Sequence, residues 1–287
     1  MLHQQSKTEP IRVMTYNIHR WEGQDGRIDV SRLANVIRSV GADVVGLNEV
    51  LHPVTSNART FNLLADLADC LGMQYAFGPS GWEDYGPAWQ GPVGNALLSR
   101  YPLTGVSNTW LPRAPSTKRR SLLGATLDDG PAKGLTGYVT HLDHLFEGTR
   151  MLQIAGVLRR MGEHSPHFLC GDFNTPGFLG PRSRRLLPPV LRRMRRAGYQ
   201  DAFHVVGEGR GLTFPSQSPL WRLDFLFFSH HCAWGLRSAR ALTADGIQYA
   251  SDHRPVVVEW AWPESNALAR LTFGGPGESD RHPPSET

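Results

Sequence analysis

The sequence predicts a single α/β domain, on three observations. Short apolar runs of strand length alternate with segments of helical periodicity along almost the whole chain. With 40% hydrophobic residues in 287, the chain has enough apolar side chains for a sizeable core. No repeat, low-complexity block or linker divides that alternation. Residues 1–9 are polar and expected to be flexible, the domain spans 10–265, and 266–287 are expected to form a disordered tail. The tail's "FGGPGESDRHPPSET" has too few apolar groups to offset the entropy of ordering.

The elements follow in order. "IRVMTYNI" (11–18) reads as a strand. In "SRLANVIRSVG" (31–41), Ser31 is the expected N-cap, Leu33, Val36, Ile37 and Val40 share one face, and Gly41 ends the helix. "ADVVGLNEV" (42–50) is a buried strand. "TFNLLADLADCLG" (60–72) is a helix with Phe61, Leu64, Ala65, Ala68 and Leu71 inward. "NALLSR", "TGVSNTWL", "SLLGATL" and "GLTGYVTHL" are strands. "EGTRMLQIAGVLRRMG" (147–162) is a helix turning Met151, Ile154, Ala155, Leu158 and Met161 inward. "HFLCGD" is a strand, and "PVLRRMRRAG" is a helix running from Pro189 to its stop at Gly198. "LDFLFFS", the stretch around 236–243 and "PVVVEWAW" complete the strands.

Composition narrows the function classes. A net charge of +4 permits an anionic partner without requiring one. Cys70, Cys170 and Cys232 form no CxxC pair, which argues against a zinc ribbon and suits small buried thiols in a reducing compartment. The first residues carry no apolar signal-peptide core, and no run approaches the ~18 apolar residues of a membrane span. A soluble, cytoplasmic protein without a transmembrane segment is expected.

Polar groups stand at the ends of apolar strands, where burial is costly unless they find partners. Asn17 and His19 end the first strand and Asn48 and Glu49 the second. His141, Asp143 and His144 follow "GYVT", and Asp172 and Asn174 follow "HFLCG". Asp224 lies at the mouth of "LDFLFF", and Ser251, Asp252 and His253 precede "PVVV". Ligand sites in open α/β sheets gather where strand ends meet loops. Taken singly, each group has a bland reading: a turn Asn, a surface His, a capping Ser-Asp. Together they describe one convergent site. Carboxylates and amides without a thiolate are hard oxygen donors suited to Mg²⁺ or Mn²⁺. Hydrolysis at phosphorus is the chemistry that most needs such a cation beside acid and base groups.

The motifs "TYNIH", "NEV", "GNALLS", "THLD", "GDFNTP", "TFPSQSPLWRLDFLF" and "SDHRPV", in this order over residues 11–262, resemble the endonuclease/exonuclease/phosphatase superfamily. The resemblance implies a four-layer α/β sandwich of two packed mixed sheets with helices outside. It implies Mg²⁺ or Mn²⁺ held by Glu49 with Asn17 and Asp252. Asp172 would orient or deprotonate the attacking water, and Asn174 would hold the nucleophile or a phosphate oxygen. His253, paired with Asp224, would stabilise charge at phosphorus, and His141 would donate to the phosphate. Asn95, His19 and Arg222 are the substrate-side candidates. Val50, Leu51 and His52 follow Glu49 where abasic-site endonucleases carry a lysine, and His19 replaces their aspartate, so base-excision repair is disfavoured. "THLD" resembles the phosphatase, sphingomyelinase, deadenylase and tyrosyl-DNA phosphodiesterase branches.

Three stretches stay open at this level. The seven arginines of 182–196 are either a solvated face or a contact for phosphate or anionic lipid. The Gly-, Pro- and aromatic-rich 80–95 is either a loop over the cleft or a packed surface loop. "TKRRS" (117–121) is a basic turn with the same ambiguity as the arginines. The expectation is a metal-dependent phosphoesterase acting on a phosphodiester or phosphomonoester of a lipid headgroup, small molecule or nucleic acid. A nuclease proper is the alternative. A non-catalytic module of the same fold is the rival from another class, and the full set of polar strand ends argues against it.

Overall fold

The computed structural model describes residues 9–86, 89–161, 165–177, 187–244 and 246–262. The expectations for 1–8, for 263–287 and for Arg182, Arg184 and Arg185 concern residues outside the described ones.

The nine-stranded sheet holds β1 (Ile11–Asn17), β2 (Val44–Leu51), β3 (Val54–Ser56), β4 (Arg59–Phe61), β5 (Gln74–Asp84), β6 (Gln90–Ser99), β12 (Gly207–Glu208), β14 (Leu236–Ala241) and β15 (Val256–Trp260). Its order is β12-β14-β15-β1-β2-β6-β3-β4, with β5 also paired to β6. The six-stranded sheet holds β7 (Leu103–Trp110), β8 (Ser121–Leu127), β9 (Thr136–His141), β10 (His167–Gly177), β11 (Gln200–Asp201) and β13 (Arg222–Phe228), in the order β11-β13-β10-β9-β8-β7. Six α-helices are described: α1 (Val30–Ser39), α2 (Leu63–Leu71), α3 (Glu147–Arg160), α4 (Pro189–Arg196), α5 (Ala202–Val206) and α6 (Ile247–Ala250).

Strand alternation sorts the apolar side chains into layers. Val13, Val44, Leu97 and Val258 meet Leu123, Val139, Phe168 and Leu226 between the sheets. Met14, Val45 and Leu47, one position along, face Leu33, Ile37, Leu64 and Leu67 of α1 and α2. Leu169, Phe173, Phe225 and Phe227 face Ile154 and Val157 of α3 and Val190 and Met194 of α4. The layering is therefore helix, sheet, sheet, helix: the α/β sandwich that the motifs imply. The sheets approach closely at Gly46, where an added Cβ would lie 2.3 Å from Cys170 Sγ.

Local details differ from the sequence expectations. The N-cap of α1 is Asp29, which accepts from Arg32 N, and Ser31 Oγ instead donates to Asp29. Phe61 belongs to β4 and is exposed, because α2 starts two residues later and buries Leu64, Leu67 and Ala68. Helix α3 packs Met151, Ile154, Leu158 and, just past its end, Met161 inward as expected, and its buried face widens to Arg150, Gln153 and Val157; Arg150 pairs with Glu147, and Gln153 accepts from Asp143 N. Cys70 is exposed, while Cys170 and Cys232 are buried. Residues 80–84 and 90–95 are strand rather than loop: β5 and β6 pair antiparallel there, Trp82 opposite Pro92 and Asp84 opposite Gln90.

Register brings the polar strand ends together. β1 and β2 are parallel with Asn17 opposite Asn48. β9 and β10 are parallel with His141 opposite Asp172, and β13 runs antiparallel to β10 with Asp224 opposite Asp172. β15 is antiparallel to β1 with Val256 opposite Thr15, so Ser251–His253 also reach this end.

Candidate active site

Asp172 is the centre of the cleft. Gly171 before it has φ +139°, and a Cβ there would lie 1.8 Å from Thr140 O, so only glycine lets the strand present Asp172 at this point. Asn48 holds the backbone: its Oδ1 accepts from Asp172 N at 2.8 Å, and its Nδ2 donates to Asn95 Oδ1 and Thr140 O. This amide ties the two sheets together directly beneath the site.

Three side chains converge on Asp172 Oδ2. Asn17 Nδ2 donates to it at 3.1 Å, His141 Nε2 lies at 3.5 Å and His253 Nε2 at 3.7 Å. Burial raises the Asp172 carboxyl to about 7; His253 opposes that rise and Asp224 adds to it. Its other oxygen accepts from Asn174 N at 2.8 Å.

The two imidazoles are held in opposite states. Burial works against a charge on His253, but Asp224 and Asp172 outweigh it and raise the ring to about 10. Asp224 Oδ2 accepts from His253 Nδ1 at 2.8 Å, Phe214 packs on the ring with centroids 4.9 Å apart, and Ser251 Oγ accepts from His253 N. Burial, and then Arg120, hold His141 well below the ordinary imidazole range. Arg120 Nη1 lies 3.0 Å from His141 Nδ1. A guanidinium can only donate, and so can Asn174 Nδ2, 2.8 Å from Nε2, so both ring nitrogens face donors; Nε2 also lies 3.5 Å from Asp172 Oδ2.

Glu49 stands on the nine-stranded side. Its φ of +56°, like that of Asn174 at +47°, lies in the left-handed region that non-glycine residues enter at a cost. Asn17 Nδ2 donates to Oε1 at 3.3 Å, and Arg20 Nη1 pairs with Oε2 at 3.2 Å. Burial opposes the Glu49 charge, but Arg20 and Asn17 keep its pKa below the ordinary value. Oε2 is buried without a hydrogen bond, and so is Asp224 Oδ1. Among the described residues no three His, Cys, Asp or Glu side chains close a metal cage. The donor set fits a hard cation such as Mg²⁺ that keeps most of its waters and takes one or two protein oxygens.

The cleft holds about 580 Å³, with Glu49, His141, Asp172, Asn174, Asp252 and His253 among its walls. Three expected positions lie elsewhere. Asn95 is buried behind the cleft, donating to Ser121 O. His19 turns its Nδ1 to Glu22 O, and its neighbour Arg20 takes the place beside Glu49. Arg222 pairs with Asp201 and lies over Phe203 and Phe225, lining a separate pocket. It sits two residues before Asp224, so its side chain belongs to the neighbourhood beyond the bulge between β10 and β13. Arg20, Lys118, Arg119 and Arg120, by contrast, line the cleft. The "TKRRS" turn contained that signal without its direction.

With this geometry, the comparisons with known proteins are decisive for the family. The model of the Endonuclease/Exonuclease/phosphatase family matches residues 14–253. The chain belongs to that family. It is 27% identical over 265 residues to the uncharacterized protein YbhP of Escherichia coli strain K12, covering 89% of this chain and 98% of that one. The Beutenbergia cavernae endonuclease/exonuclease/phosphatase structure superposes with a TM-score of 0.69 at 24% identity, over 88% of this chain and 72% of that one. The human Nocturnin catalytic domain, solved with a bound sulfate anion, gives 0.67 at 23% identity, over 90% of this chain and 95% of that one. Members of the endonuclease/exonuclease/phosphatase family hydrolyse phosphoester bonds and include phosphatases and nucleases.

Proposed function

We propose that the protein is a divalent-metal-dependent phosphoesterase that hydrolyses a phosphodiester or phosphomonoester by attack of an activated water. The observation that carries this reading is the meeting of Asn17, His141 and His253 on one buried oxygen of Asp172, beside the strained carboxylate Glu49. Glu49, with Asn17 and Asp252 nearby, would hold Mg²⁺ or Mn²⁺, which supplies Lewis acidity at the phosphoryl oxygen.

The chain's own residues divide the remaining work. Asp172, raised to about 7, has the proton affinity of a base acting near neutrality and takes the proton of the attacking water. Asn174 orients that water or a phosphate oxygen. His253, kept cationic by Asp224, neutralises charge developing on the phosphoryl group. His141, with Arg120 at Nδ1 and Asn174 at Nε2, would contact the phosphate. Arg120 is half-buried, and its buried Nε has no partner, an arrangement suited to an anionic ligand.

A nuclease is the second reading, favoured by Arg119 lying 4.2 Å over the ring of Trp110 beside the cleft, a pair able to grip a stacked base. The test is hydrolysis of a chromogenic phosphodiester, phosphomonoesters, phospholipids and single- and double-stranded DNA and RNA, each with Mg²⁺, Mn²⁺ or chelator. Chelator-sensitive turnover that Glu49→Gln removes is the expected result. Turnover indifferent to both would overturn the proposal.

A further inference from the structure

Large apolar side chains stand free around the mouth of the cleft. Trp110 ends β7 opposite Ser121, and β8 in turn pairs with β9, so Trp110 lies at the His141 end of the sheet. Trp82 lies opposite Pro92, beyond the Val93–Leu51 pair that follows Glu49. Leu145 and Phe146 follow His144 of the cleft wall. Leu220 and Trp221 lead into β13 next to the cleft: Trp221 N donates to the carbonyl of Phe214, a wall residue, and Leu220 lines a neighbouring pocket with Arg240 and Arg254. Their exposures reach 69% for Leu220, 61% for both Trp82 and Trp110 and 56% for Leu145 and Phe146. The opposite end of the sheets is different: Trp234, Trp260 and Trp262 pack on one another there.

Cations accompany the exposed ring. Lys118 and Arg20 are paired with Glu83 and Glu49, whereas Arg119 and Arg120 have no ion pair among the described residues. Exposed apolar side chains gathered around one opening mark a binding surface. Aromatic side chains beside basic ones match the headgroup region of a membrane, where ring bodies enter the apolar boundary and cations meet anionic lipid. Stacked bases would use Trp82 and Trp110, but they give no use to Leu145 and Leu220. No described helix is long and apolar enough to cross a membrane, so contact would be at the surface.

We infer that the cleft end docks on an anionic phospholipid surface and that the cleft receives a phosphate ester carried by a lipid headgroup. The choice of substrate rests on the hydrolase reading above; the docking does not. The test uses the Glu49→Gln protein in flotation with phosphatidylcholine vesicles, with and without about 30 mol% phosphatidylglycerol. Co-flotation with the anionic vesicles is expected, weakening as salt rises. Leu145→Ser/Phe146→Ser and Leu220→Ser/Trp221→Ser should each lower partition at least about tenfold. In the Glu49-containing protein the same pairs should leave turnover of a water-soluble chromogenic phosphoester, and the melting temperature, unchanged. Absence of vesicle binding at low salt, or binding indifferent to both pairs, overturns the inference. So does a single-stranded oligonucleotide that displaces the protein from vesicles and whose own binding needs Trp110 and Arg119 but neither leucine. Vesicle binding without turnover of any soluble ester would uphold the surface and remove the hydrolase reading instead.

Discussion

The two sheets contribute unlike chemistry to one cleft. On the nine-stranded side, Glu49 has a depressed pKa, an arginine partner and partial exposure. On the six-stranded side, Asp172 is buried, raised to about 7 and surrounded by groups that exchange protons. Both carboxylates follow apolar strands at the same end of the molecule, and the sequence does not distinguish them by type. The difference is environment. A carboxylate beside a guanidinium keeps its charge and can attract a cation, while a desolvated carboxylate becomes a base matched to neutral pH. Arg20 and Arg120 divide in the same manner: one is paired with Glu49, and the other lies half-buried against a neutral histidine.

The largest expected effect breaks the six-stranded half. Asp172→Asn removes the proposed base while keeping its shape, and kcat should fall by ~10³–10⁴, the upper range for a positioned base. Single-turnover hydrolysis at saturating metal measures it, and a loss under tenfold would reassign the base. His253→Ala should lower turnover by ~10²–10³ as a charge stabiliser. Asp224→Asn in the His253→Ala background should add little, because the pair acts as a unit. Multiplicative losses in that cycle would separate the two residues.

The electrostatic contrast has a pH signature in the metal-free protein. His253 is raised from 6.5 to about 10 by folding. The stability it contributes is therefore complete below about pH 6.5 and lost as pH rises through about 10. The melting temperature should decline over that window, and the decline should shrink in His253→Gln. Imidazole ¹⁵N shifts should show His253 protonated and His141 neutral at pH 8; the reverse assignment would undo the division of roles.

The smallest effect concerns the nine-stranded half. If Glu49 holds the cation as proposed, Arg20 competes with it; the Arg20–Glu49 pair is partly exposed, worth up to ~1 kcal/mol. Arg20→Gln should tighten Mg²⁺ binding by up to about fivefold in calorimetry of the otherwise unaltered protein. Weaker binding would show that Arg20 helps to build the cation site.

By itself, the sequence determined the alternation of elements, the two-residue period that layers Val13 against Met14 and Phe168 against Leu169, and the polar residues at strand ends. These are local properties: hydrophobic period and a polar group at the end of an apolar run are written in neighbouring residues. Short-range competition escaped it, as where Asp29 rather than Ser31 caps α1, and so did the pairing of 80–84 with 90–95 despite their glycines and prolines. Long-range placement escaped it too. Asn95 and Arg222 belong to motifs that reach the cleft in chain order, yet their side chains end beneath it and beside it. The sequence marks Lys118, Arg119 and Arg120 only as a basic turn. Only tertiary structure decided that Arg120 would stand against a histidine, that Asn48 would tie the sheets under Asp172, and that two similar carboxylates would hold their protons so differently. Burial and charge at a point are set by what the rest of the chain brings there, and no window of neighbouring residues contains that sum.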